Sequence, residues 1–123
     1  MTETNFDFEH LAQDRFPLQT FKAGEKIFVQ DDEGSHMYVV RSGRVNLVAS
    51  GTILENVGPN GTFGEMALLD GSPRSATAVA LEPTEVAVID EHAFLCMVEQ
   101  NPRLALQLMR RLAQRLRRMN QSL

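Results

Sequence analysis

Two charged side chains nine positions apart, Glu65 and Arg74, stand where a small anionic ligand could be held. They lie in the run Phe63-Gly64-Glu65-Met66-Ala67-Leu68-Leu69-Asp70-Gly71-Ser72-Pro73-Arg74-Ser75-Ala76-Thr77, introduced by the turn residues Gly58-Pro59-Asn60-Gly61. Gly64 lets a ligand approach the backbone without a Cβ in the way. A helical turn starting there aims unpaired N–H groups at an anion, and Arg74 meets an anion with a planar set of donors. A carboxylate repels phosphate, but Glu65 makes sense if the ligand also offers hydroxyl donors, as a ribose does. The combination implies a sugar phosphate carrying a single negative charge.

Other chemistries find less support in the sequence. His10, His36 and His92 are far apart and lack metal-ligand spacing, so no metal site is expected. Cys96, the only cysteine, lies among Phe94, Leu95 and Met97 and reads as a small buried hydrophobe. A single cysteine forms no internal disulfide, which fits a reducing, cytoplasmic setting. Neither a G-x-x-x-x-G-K-[ST] loop nor a G-x-G-x-x-G motif is present, and no nucleophile–base pair stands at a suggestive spacing, so no enzymatic activity is expected. No apolar run approaches the roughly 18 residues of a membrane span.

The elements that must position the pair are mostly short strands. Leu18–Lys22, Lys26–Gln30, Met37–Arg41, Arg44–Ala49, Thr52–Val57, Ser75–Leu81 and Glu85–Ile89 are rich in β-formers and are parted by turn signals. That pattern predicts a β-sandwich or barrel. Helices are expected at Asn5–Ala12, at Glu91–Glu99 behind an Asp90 cap, and from Pro102 to about Asn120 behind an Asn101 cap. On the last of these, Ala105, Leu108, Leu112, Leu116 and Met119 form one stripe. Charge is divided unevenly. All 16 acidic residues and six of the 12 bases precede residue 103. Arg103, Arg110, Arg111, Arg115, Arg117 and Arg118 follow with no acid among them, so the final helix is a basic surface, either solvated or packed on the acidic body or on a partner.

Phe63-Gly64-Glu65, the apolar turn and Pro73-Arg74-Ser75-Ala76-Thr77 resemble the phosphate-binding cassette of cyclic nucleotide-binding domains. Phe21-Lys22-Ala23-Gly24-Glu25-Lys26-Ile27-Phe28 and Met37 to Val45 are similar to that family's opening repeats, so the resemblance covers roughly residues 18–100. It implies one domain over residues 1–123: a mainly β, jelly-roll-like antiparallel β-roll at about 18–90, with a short N-terminal helix, a short cassette helix and two C-terminal helices at about 91–120. It also implies a receptor without catalytic activity for cyclic AMP, with cyclic GMP open. Glu65 would take the ribose 2′-hydroxyl. Arg74 would take the cyclic phosphate, with the backbone of Gly64, Met66, Ala67, Ser75 and Ala76 around it. Leu47, Leu54 and Val57 would line the base slot, and the hydroxyls of Ser75 and Thr77 stand where such proteins can reach a guanine. The C-terminal helix would move on binding, or pair with a protein partner or a second copy. The alternatives are the sensor part of a catabolite-activator-type regulator or of a channel, and an interaction β-roll that binds no nucleotide. Direct DNA contact is not expected of this chain. Asp31 and Asn60-Gly61 depart from the family's glycine-bearing turns, but Asp and Asn tolerate a left-handed backbone best.

Overall fold

The computed structural model describes residues 16–121, with side chains described to residue 118. The helix expected at Asn5–Ala12 lies outside the described residues. Eight strands and three helices follow in order: β1 (Leu18–Phe21), β2 (Lys26–Phe28), β3 (Met37–Ser42), β4 (Val45–Ala49), β5 (Thr52–Val57), β6 (Thr62–Phe63), α1 (Glu65–Asp70), β7 (Thr77–Ala80), β8 (Thr84–Ile89), α2 (Glu91–Gln100) and α3 (Arg103–Gln121). The strands form two four-stranded sheets, ordered β1-β8-β3-β6 and β2-β7-β4-β5. Every pairing is antiparallel. The fold is the mainly β, antiparallel β-roll with flanking helices that the resemblance implies.

Alternation along β3 explains the layering. Successive strand residues face opposite sides of a sheet. Met37 and Val39 join Ala87 and Ile89 of β8 in a core against Phe94 and Met97 of α2 and Leu104 and Leu108 of α3. Val40, one position out of phase, faces the other way with Val86, Phe63, Val45, Leu47 and Val57, into a second core between the sheets. The first sheet is therefore covered by helices on one face and by the second sheet on the other.

The two departures from glycine-bearing turns fold as left-handed turns, with φ of 75° at Asp31 and 68° at Asn60. Asp90 caps α2, its carboxylate accepting from the Ala93 N–H at 2.8 Å. Asn101 separates the two terminal helices, and its side-chain oxygen accepts from the Arg103 N–H at 3.2 Å. β6 is two residues long, too short for periodicity to reveal, and it pairs with Tyr38 and Val39 of β3. Its place matters because Thr62 and Phe63 are both fully buried immediately before Gly64. Replacing the cap, Asp90→Ala, is expected to lower stability by about 1 kcal/mol, read as a fall in urea midpoint without a change in slope.

Candidate functional site

The residues from Gly64 to Ala76 make a short helix held between two left-handed glycines. Gly64 caps α1 with φ 79° and Gly71 ends it with φ 73°. The Gly71 N–H closes on the Ala67 carbonyl at 3.0 Å, and Asp70 accepts from the Ser72 N–H at 2.9 Å. The hydrogen bonds from Ser72 hold the Asp70 carboxyl below its ordinary range. This turn returns the chain so that Pro73 and Arg74 stand beside Gly64. Gly64 must also be small: a Cβ there would fall 2.8 Å from Arg74 Nη1.

Arg74 is only 5% exposed. Its Nη1 donates to the Gly64 carbonyl at 3.0 Å, and the guanidinium carbon lies 4.1 Å from the centre of the Phe28 ring and 5.5 Å from that of Tyr38. Its backbone is tied to the β2–β3 loop by Asp31 N–H to Arg74 O and Arg74 N–H to Asp32 O, both 2.8 Å. No carboxylate among the described residues forms an ion pair with it. Burial accordingly lowers its pKa from the usual arginine value, against smaller opposing effects of Tyr38 and Asp32. The result is a sheltered cation whose charge is not neutralised by an adjacent acid.

Glu65 is fully buried, and it is treated in the opposite way. Its Oε2 accepts from Arg111 Nε of α3 at 3.0 Å, with the Thr62 hydroxyl at the limit of hydrogen bonding, 3.5 Å. Arg111 Nη2 also donates to Glu55 Oε2 of β5 at 2.7 Å and to the Thr62 carbonyl at 2.5 Å. One turn further along α3, Arg115 Nη2 donates to Glu55 Oε1 at 2.8 Å, while its Nη1 stands 3.7 Å from Glu65 Oε1. Glu65 Oε1 is buried and has no hydrogen-bond partner. Buried acceptors in folded proteins are nearly always satisfied, so this oxygen calls for a donor.

The geometry of α3 explains the clasp. Leu104, Leu108, Arg111 and Arg115 recur at helical spacing and share one face. The first two are buried in the core, and the last two carry the same face over the site. Leu116, expected on the packed stripe, is 60% exposed, because the packed face runs one position out of phase with it.

A small cavity of about 30 Å³ is lined by Gly64, Glu65, Met66, Ala67, Arg74, Ser75 and Ala76, joined by Phe28, Leu47, Pro73 and Arg115. The structure thus brings together all seven residues read from the cassette, together with Leu47. It does not bring in three others. Leu54 is 56% exposed on β5, Val57 is buried in the core between the sheets, and the Thr77 hydroxyl accepts from the Gln30 N–H at 2.9 Å. Phe28, Glu55, Arg111 and Arg115 were not singled out as site residues by the sequence. The acid-free run of arginines was the signal for the last two, and the others depend on tertiary contact. Among the described residues no group of three His, Cys, Asp or Glu could hold a metal ion, and no helix is long and apolar enough to cross a membrane.

Removing one partner of a buried ion pair leaves an uncompensated charge, at a cost of about 3–5 kcal/mol. Arg111→Ala is therefore expected to destabilise the protein by that order. Arg115→Ala, on a side chain 26% exposed, should cost clearly less. Equal denaturation midpoints for the two variants would contradict the network.

Comparison with known proteins converges on one family. Residues 18–101 match the sequence profile of the cyclic nucleotide-binding domain. The chain is 38% identical over 112 residues to the cyclic AMP receptor protein of Thermus thermophilus, covering 87% of this chain and 52% of that protein. It is also 38% identical over 97 residues to the cAMP-dependent protein kinase regulatory subunit of Yarrowia lipolytica, covering 73% of this chain and 26% of that protein. The crystal structure of the Thermus thermophilus catabolite activator protein superposes with a TM-score of 0.79 at 35% identity, over 94% of this chain and 60% of that one. The chain thus spans about half, or less, of the length of these two curated relatives.

Proposed function

Because this chain belongs to the cyclic nucleotide-binding domain family, we propose that it is a receptor domain in which Glu65 and Arg74 grip a cyclic nucleotide and α3 reports the occupancy. The observation that carries this reading is the pairing of two buried, incompletely satisfied groups on one cavity: Glu65 Oε1, which accepts no hydrogen bond and has only the Arg115 guanidinium 3.7 Å away, and Arg74, a cation with no ion-paired acid among the described residues. A ribose 2′-hydroxyl supplies the donor and a cyclic phosphodiester supplies the anion. The N–H groups of Met66, Ala67, Ser75 and Ala76 complete the phosphate contact. Leu47 offers an apolar wall. Neutral sugars lack the anion, and inorganic phosphate lacks the hydroxyl.

The coupling follows from what already touches Glu65. Arg111 and Arg115 tether α3 to Glu65 and Glu55, and a cavity near 30 Å³ holds about one water. A nucleotide enters only if this corner opens. A hydroxyl on Oε1 then competes with Arg115 for the same oxygen, which shifts α3 by giving the two arrangements different ligand affinities. Cyclic AMP is the first choice. Cyclic GMP stays open through the Ser75 hydroxyl, which lines the cavity, whereas that of Thr77 is engaged by the backbone. Leu106, Met109 and Leu116 are exposed along α3, which suits a protein partner or a second copy. The single-domain organisation, a cytoplasmic location and a role as the sensor part of a longer regulator belong to the same proposal.

Calorimetry with cyclic AMP, cyclic GMP and 5′-AMP tests it. The expected result is binding of a cyclic nucleotide and weak binding of 5′-AMP, whose dianionic, acyclic phosphate does not match the site. Arg74→Ala is expected to lower affinity about 10- to 150-fold, the worth of a charge-assisted hydrogen bond of roughly 1.5–3 kcal/mol. Undiminished affinity in that variant would contradict the assignment of Arg74.

A further inference from the structure

The β2–β3 loop passes behind the cassette arginine and leaves it an unusual seat. The β-carbon that Gly34 lacks would lie 2.5 Å from Arg74 Nε and 2.6 Å from both Cζ and Nη2. No atom fits at such distances, so the guanidinium occupies the space of a missing side chain. Gly34 has no left-handed backbone to explain its being glycine. Close approach is the remaining reason for it. The Phe28 ring packs on the guanidinium at 4.1 Å, and Tyr38 flanks it at 5.5 Å. Phe28, Tyr38 and Phe63 also contact one another, with ring centres 5.2–5.9 Å apart, so the aromatic wall is braced against the core. Aromatic faces attract a cation without neutralising it. A carboxylate in the same place would satisfy Arg74 internally and weaken its hold on an anion.

We propose that Gly34 is a positioning residue of the ligand site, and that with Phe28 it forms a seat that holds Arg74 in place while leaving its charge free for the phosphate. This rests on the assignment of Arg74 as the phosphate contact. Gly34 acts only through Arg74, so its replacement must damage recognition of the phosphate and spare recognition of base and ribose. The atoms in the way belong to the Arg74 side chain and not to backbone, so Gly34→Ala displaces the guanidinium from its seat.

The test compares the native chain with Gly34→Ala, Arg74→Ala and the double variant, using cyclic AMP and adenosine, which keeps base and ribose but has no phosphate. Gly34→Ala is expected to weaken cyclic AMP on the order of ten- to a hundredfold, to leave the weaker adenosine binding unchanged, and to add nothing once Arg74 is alanine. Unchanged cyclic AMP affinity would overturn the proposal, and so would an equal loss for both ligands. Should Gly34→Ala not fold, Phe28→Leu is put through the same comparison, with the same outcomes deciding. Failure of the native chain to bind either ligand would remove the receptor reading itself. The seat would then be decided by the Arg74 Nε–Hε resonance, which the Phe28 ring current displaces. Its return toward the free arginine position in Gly34→Ala sustains the seat, and an unmoved resonance overturns it.

Discussion

A carboxylate that is wholly removed from water must be met by a cation, and in this protein the cation comes from 46 positions further along the chain. Glu65 and Arg111 join the first residue of α1 to the middle of the last helix. Arg111 reaches Glu65 only because Leu104 and Leu108 seat the preceding two turns of α3 against the first sheet. Glu55 on β5 then shares both arginines, so two acids from the β-roll and two bases from α3 close one network. Buried pairs of this kind contribute little net stability over an apolar equivalent, but they are severely destabilising when broken on one side. Their effect here is positional: α3 has one register in which both charges are answered.

The two central charges of the site are held by opposite means. Glu65 is tied to α3, by a hydrogen bond from Arg111 on one oxygen and a looser ion pair with Arg115 on the other. Arg74 is held by aromatic rings, a carbonyl and the hollow at Gly34, and by no acid among the described residues. In the proposed reading, an arriving cyclic nucleotide would meet a cation without an ion-paired acid at its phosphate and a contested acceptor at its ribose. The first contact would provide affinity, and the second would disturb the clasp and so make binding visible to α3.

Much of the fold was legible because strand alternation, glycine turns and helix caps are local. Asp90, Asn101, Asp31 and Asn60 all behave as their residue types suggest. The cassette was legible because its two charged residues and its glycine lie within a dozen positions. What escaped was non-local. β6 has two residues and no period to detect. The base-side residues Leu54, Val57 and Thr77 lie on the right strands, but exposure, core packing and a bond to Gln30 keep them from lining the cavity. Leu108 and Leu112 of the expected α3 stripe pack on the first core, whereas Leu116 is exposed, because the packed face ends in arginines, which hydrophobic periodicity counts as solvent-facing. The uneven distribution of acids and bases carried the missing signal, since a basic helix packed on the acidic body was one of the arrangements it allowed.

Coupling requires that ligand at the cassette move α3. Spin labels at the exposed positions Glu82 and Arg117, with Cys96 replaced by serine, would report the distance between the β-roll and the end of α3 by pulsed electron resonance. Saturating cyclic AMP should shift the distance distribution, and the shift should be absent in Arg74→Ala at the same ligand concentration. An unchanged distribution in a sample shown by calorimetry to be fully occupied would contradict the coupling between the cassette and the helix.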